Sequence, residues 1–231
     1  MLGIIGGTNF KGTKILKNLK GKTVATEYGN VDVLVNEKIA FLNRHGKSHN
    51  IPPHRINHKA NIKALKKLGT TKIIGICSVG SLRKSIKPGS ILIPSDYVNF
   101  WGIQTFFDSR IKHITPELDE ALRKIIIKKS KQAGVKIIPE GIYVQTTGPR
   151  LETRAEIKIL KNFCDVVGMN LASEATLAQE LGIPYAGICS VDNYANGVVP
   201  KKLDFETVVK DSRKNSASVM KILIKILEDS K

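Results

Sequence analysis

Short apolar runs alternate with longer amphipathic stretches along the whole chain, and the two kinds of segment differ in period. Continuous or alternating apolar runs at residues 2–5, 31–35, 39–42, 72–77, 90–94, 135–138, 141–145 and 185–191 predict β-strands. Helical spacing predicts helices over residues 61–68, 153–163 and 172–181, with a long amphipathic helix over 203–228. Thr115-Pro116-Glu117, read as N-cap, first position and acidic first turn, predicts a further helix running to about residue 132. Gly182 and Pro184 end the helix before them. Residues 96–113 are aromatic and irregular, which predicts a loop that covers a site or packs on a neighbouring subunit, with plain core packing as the alternative. Strands that alternate with helices predict an α/β fold.

Composition narrows this. The 231 residues carry no Gly/Ser/Pro-rich break, so one domain is expected over 1–231. No apolar run is long enough to span a bilayer and no basic leader precedes the first strand, so a cytoplasmic protein without membrane contact is expected. Cys77, Cys164 and Cys189 each lie in or beside an apolar run, which predicts buried, reduced thiols. The formal charge of +17 admits a nucleic-acid partner, but the lysines are dispersed and aromatics make up only 6% of residues, so lysine-covered surfaces with a field that attracts small anions fit better. His54 and His58 have the H-x-x-x-H spacing, yet Pro52-Pro53 precedes them and no acidic third ligand is near, so no metal is expected.

Polar clusters fall where the predicted strands end. Gly6-Gly7-Thr8-Asn9 and Ser78-Val79-Gly80-Ser81 read as tight turns whose backbone N–H groups could face an anion. The first lacks the G-x-G-x-x-G spacing of a dinucleotide site. Arg44 offers a planar fork of donors suited to phosphate, and His45 can donate beside it; a surface pair is the ordinary alternative. Glu152 stands between Gly148-Pro149 and a helix, where a carboxylate either reads a ligand or caps the helix, and local physics alone favours the cap.

Taken together, GIIGGT, NRHG, SVGSL, TGPRLETRAE, VVGMN and SVDNYANG resemble the trimeric purine nucleoside phosphorylase and 5'-methylthioadenosine phosphorylase family, in order over nearly the whole chain. The resemblance implies a single-domain α/β fold with a mixed, twisted central sheet flanked by helices. It implies phosphorolysis, in which inorganic phosphate attacks C1' of a purine nucleoside with no metal or organic cofactor. By position it implies phosphate contacts from Thr8, Arg44, His45, the Ser78 backbone and Asn170, the last where relatives carry Ser or Thr. Met169 would lie under the ribose, and Tyr194 and Ala195 would line the base site. A homotrimer is implied, with pairing of trimers left open, and His113 would enter from an adjacent subunit.

Glu152 and Asn193 decide the base. A 6-oxopurine offers N1–H as donor and O6 and N7 as acceptors, which a carboxylate and an amide satisfy. Adenine reverses that pattern at N1 and C6, and its relatives resemble this chain but carry Ser at the Glu152 position and Asp at those of Asn193 and Ala195. The expectation is therefore a 6-oxopurine nucleoside phosphorylase, in particular of methylthioinosine, with general inosine/guanosine phosphorolysis as the alternative. Asp192 is adjacent, and a one-residue shift would turn it into the pocket instead of Asn193. Phe205, with Val208 a turn on, would form an apolar wall at the sugar 5' end; a helix-core role is equally open for Phe205.

Overall fold

In the computed structural model, residues 1–7, 16, 18–200 and 205–228 are described, with side chains in the last helix from residue 215 onward. The strands are β1 (Leu2–Gly6), β2 (Lys20–Thr26), β3 (Gly29–Val35), β4 (Ile39–Asn43), β5 (Lys72–Ser81), β6 (Ile91–Leu92), β7 (Asp96–Asn99), β8 (Ile137–Ile138), β9 (Ile142–Gln145), β10 (Val166–Gly168) and β11 (Tyr185–Tyr194). The helices are α1 (His58–Lys67), α2 (Glu120–Gln132), α3 (Arg154–Leu160), α4 (Leu171–Glu180) and α5 (Phe205–Glu228).

All strands join one mixed sheet that branches at β5. The first half of β5 pairs in parallel with β1, and its last residues pair antiparallel with β10. Along its other edge β5 pairs in parallel with β11. The strand needs ten residues because it serves three partners. Buried α1 and α4 side chains share one core with Ile5, Ile73 and Cys189. Those of α2 and α5 share a second with Ile4, Ile74 and Ile188. Adjacent residues of β1, β5 and β11 thus feed opposite cores, as the two-residue period of a strand covered on both faces requires.

Four local expectations change. Residues 20–26 form β2, which the sequence hides because only Val24 of its seven residues is buried. Ser78–Ser81 is strand rather than turn, held by β11 and β10 together. Helix α2 begins at Glu120, with the Asp119 side chain accepting from Leu122 N at 2.7 Å as its cap. Thr115 and Glu117 are instead held by Gln179, through Thr115 O at 2.7 Å and Glu117 N at 3.2 Å. Within 96–113, β7 joins β9 in parallel, so part of the expected loop is strand. All three cysteines are free and buried, as expected. Among the described residues no helix is long and apolar enough to cross a membrane.

Candidate active site

A cavity of about 640 Å³ opens at the strand ends, lined from the turn after β4 by Arg44 and His45, from β5 by Ser78 and Gly80, and from β11 by Asp192 and Asn193. Glu152, Met169, Asn170 and Ala195 line it as well, so five separate chain segments converge with residues that the sequence singled out. Clefts at the carboxyl ends of sheet strands are where open α/β folds hold ligands.

Arg44 is the most constrained of these side chains. Its Nε donates to Glu174 Oε1 at 2.6 Å, its Nη2 to Glu174 Oε2 at 3.1 Å and to Ile5 O at 3.3 Å, and its Nη1 to Ile76 O at 2.7 Å. Four of the five N–H groups of the guanidinium are therefore used internally, and one on Nη1 is left. Burial opposes the charge, and the Glu174 carboxylate more than offsets it, holding Arg44 well above its ordinary pKa. Tyr185 donates to the same carboxylate at 2.8 Å. A Cβ at residue 75 would lie 1.8 Å from the Tyr185 hydroxyl, so only glycine admits this arrangement.

His45 changes role. Its Nδ1 lies 2.8 Å from Ile51 O, and because a carbonyl only accepts, the ring proton sits on Nδ1. Burial, with Arg44 and His49 adding to it against the Ile51 carbonyl, lowers the His45 pKa to about 4. At neutral pH the ring therefore offers Nε2 as an acceptor, not the donor that was expected. A phosphate bearing a proton satisfies that lone pair.

His58 behaves likewise. Burial lowers its pKa to about 4, and its Nδ1 has no partner among the described residues. Both histidines bind fewer protons folded than unfolded, where the ordinary value is 6.5. Stability is complete above about pH 6.5 and falls as pH drops from there to about 4. For His58 the loss is up to about 3 kcal/mol. Urea midpoints between pH 7 and 4.5 should decline, and His58→Leu should flatten the decline.

Glu152 is 7% exposed and accepts from Thr146 Oγ1 at 2.6 Å. It does not cap α3. Thr153 does, in a capping box with Glu156, and Arg150 pairs with Glu156 at 2.8 Å. The helix start is thus complete without Glu152, whose other carboxylate oxygen has no hydrogen-bond partner among the described residues. Gly148 has φ +72, and a Cβ there would meet Met169 Sδ at 2.7 Å, so glycine lets the turn press on the methionine. Asn170 stands at the N-cap of α4 with its Oδ1 buried and unpartnered among the described residues. The Tyr143 hydroxyl takes up the backbone N–H groups of Asn170 at 3.0 Å and Leu171 at 3.3 Å.

On β11 the cavity is lined by Ser190, Asp192, Asn193 and Ala195. This pattern changes phase because the β5 register slips between Val191 and Asn193. The bulge turns both Asp192 and Asn193 inward, so the expected choice between them does not arise. Tyr194 is a correction: it is not among the residues lining the cavity, packs against the buried cluster that holds Leu82 and Ile157, and donates to Lys84 O at 3.2 Å. His113 is exposed and lies off the cavity. Thr8 and the side chains of Phe205 and Val208 fall outside the described residues. Sequence reasoning missed Glu174, whose role rests on Arg44, 130 residues away, and also Ser190 and Thr146, which serve carboxylates only two and six residues on. Among the described residues no cluster of His, Cys, Asp and Glu could hold a metal ion.

The sequence pattern of the phosphorylase superfamily matches residues 2–228. The chain belongs to that superfamily. A protein of Archaeoglobus fulgidus named "Probable 6-oxopurine nucleoside phosphorylase" is 42% identical, with 96% of this chain and 94% of the relative covered. One of Methanocaldococcus jannaschii named "Probable S-methyl-5'-thioinosine phosphorylase" is 41% identical, with 96% of this chain and 90% of the relative covered. Among solved structures, methylthioadenosine phosphorylase from Schistosoma mansoni in complex with adenine superposes with a TM-score of 0.90 at 27% identity, covering 100% of this chain and 92% of the other. As a phosphorylase-superfamily protein, the chain has the single-domain α/β architecture expected from its strand and helix alternation.

Proposed function

We propose that this phosphorylase cleaves 6-oxopurine nucleosides, with S-methyl-5'-thioinosine and phosphate giving hypoxanthine and 5-methylthioribose 1-phosphate. The carrying observation is that Glu152 and Asn193, distant in sequence, line one cavity, Glu152 with one carboxylate oxygen on Thr146 and Asn193 with one amide N–H on Tyr194 O at 2.9 Å and the second left to a ligand. Relatives named for 6-oxopurine nucleosides and methylthioinosine support the reading. By family position, phosphate sits among Arg44 Nη1, His45 Nε2, the Ser78 backbone N–H and Asn170, and Thr8 joins them. The ribose rests on Met169 and the base lies against Ala195, and by family position Phe205 and Val208 would wall the 5' end.

The chemistry needs few proton transfers. A phosphate oxygen bonds to C1' as the C1'–N9 bond breaks, the bonding pair passes to the purine, and the proton that hydrogen phosphate carried ends, through solvent, on the purine, which leaves as neutral hypoxanthine. An amide N–H of Asn193 at N7 stabilises that charge, while Glu152 keeps hold of N1–H throughout. Positioning and charge stabilisation supply the rate, with phosphate as co-substrate and no metal or organic cofactor.

The active form in this reading is a homotrimer, open to pairing into hexamers, in cytoplasmic purine salvage. Phe100, Trp101, Ile103 and Ile111 are exposed at 69, 49, 63 and 96% and supply an apolar subunit contact. His113, exposed on the same segment, then reaches a neighbour's 5' pocket.

The test incubates the protein with methylthioinosine or inosine, with and without phosphate, and separates the products. Phosphate-dependent appearance of hypoxanthine and a sugar 1-phosphate is expected. Phosphate-independent release, or none, rejects the reading.

A further inference from the structure

The bulge in β11 is held by a set of side chains that no part of the reaction uses. Asp192 is its extra residue: Val191 lies opposite Val79 and Asn193 opposite Gly80, so nothing on β5 is left opposite Asp192. An unpaired residue at a strand end would be free to slip, and a slip of one position sends Asn193 to the far face of the sheet. The carboxylate prevents this. Its Oδ1 accepts from Ser190 Oγ at 2.5 Å and from Asn215 Nδ2 at 2.8 Å, and its Oδ2 accepts from Ser78 Oγ. Asn215 Nδ2 also donates to Val191 O at 3.0 Å, so one amide on α5 grips both sides of the bulge.

Burial makes the grip tight. Asp192 is 1% exposed and Asn215 5%, and in such surroundings a lost partner leaves a buried polar group unmatched. The three anchors come from β5, from β11 itself and from α5, which defines the bulge from three directions.

We propose that Asp192 is a positioning residue for purine recognition: its buried carboxylate, bonded to Ser78, Ser190 and Asn215, fixes the bulge that presents the Asn193 amide to the base. The proposal rests on the reading of Asn193 as the group that meets the purine. It adds the reason why two consecutive residues of a strand can face one cavity, and it makes base selectivity depend on a side chain that itself contacts protein only. Both serine hydroxyls spend their protons on Asp192, which leaves their lone pairs toward the cavity.

Asp192→Ala removes all three bonds and frees the bulge. Asp192→Asn has nearly the same shape, and because hydroxyls rotate, Ser78 can accept from the new amide while Ser190 and Asn215 still donate to its oxygen. The measurement is kcat and KM for methylthioinosine, KM for phosphate, and the kcat/KM ratio of methylthioinosine to methylthioadenosine. For the alanine variant, nucleoside KM should rise and the ratio should fall by roughly tenfold or more each, with phosphate KM within about threefold, because only the base end loses its geometry. The asparagine variant should recover both quantities to within about threefold of wild type. A general loss of structure would lower activity on both nucleosides together and leave the ratio intact. An unchanged ratio and unchanged nucleoside KM in Asp192→Ala overturn the proposal.

If Asp192→Ala does not fold, Ser190→Ala and Asn215→Ala each remove one anchor, and each should lower the ratio by about threefold or more; ratios equal to wild type reject the proposal. Wild-type protein assayed alongside separates the two levels. A wild type without phosphorolysis fails the functional reading and the proposal with it. A wild type that turns over selectively beside an equally selective Asp192→Ala fails the proposal alone.

Discussion

Glu152→Gln lowers kcat/KM for methylthioinosine about 30- to 150-fold and narrows the preference over methylthioadenosine by a similar factor. The substitution keeps length and shape, and its amide oxygen still accepts from Thr146 at the 2.6 Å position. What it loses is the acceptor facing the base. The amide NH2 then meets the N1–H of a 6-oxopurine donor to donor, while it can donate to the bare N1 of adenine. A buried mismatch of that kind costs about 2–3 kcal/mol, which sets the size of the effect. Folding should change by less than about 1 kcal/mol, because Thr153 and Glu156 cap α3 without Glu152. Steady-state rates on both nucleosides, with calorimetric melting of each protein, check the result.

Glu174→Ala is the largest expected loss of stability. It leaves the Arg44 guanidinium buried and without its countercharge, and it strips Tyr185 of an acceptor. Breaking one side of a buried ion pair costs about 3–5 kcal/mol. For a chain of this length the melting temperature should drop by about 10 °C. The pair also aims Arg44: with four donors held, Nη1 lies beside Gly7, 3.2 Å from where a Cβ there would stand. The double substitution Arg44→Met/Glu174→Leu should regain much of the stability and none of the phosphate affinity. Urea midpoints and the phosphate KM of the single and double variants separate the two roles.

How much of this was legible in sequence depended on distance along the chain. Buried strands such as β1 and β11 declare themselves because both faces are covered and nearly every position is apolar. β2 does not, since its neighbours leave most of it in water. The start of α2 was misplaced because Thr115-Pro116 imitates a cap while Gln179, 64 residues from Thr115, holds that segment. In the site, Arg44, His45, Glu152 and Asn193 stood out by residue type. Their settings did not: the proton on His45 Nδ1 follows from Ile51, and the fork of Arg44 is mostly taken by Glu174, 130 residues away. Tyr194 was assigned by family position, whereas after the register slip in β11 the alternation puts Asn193 and Ala195 on the cavity and Tyr194 on the other face. Such a slip leaves its trace only in the register with the neighbouring strand.

The central claim is that a carboxylate and an amide across one cavity select a purine bearing a carbonyl at C6. The ratio of kcat/KM for methylthioinosine to that for methylthioadenosine, at saturating phosphate and neutral pH, tests it most directly. The account predicts a ratio of about 100 or more. A ratio below unity would contradict it.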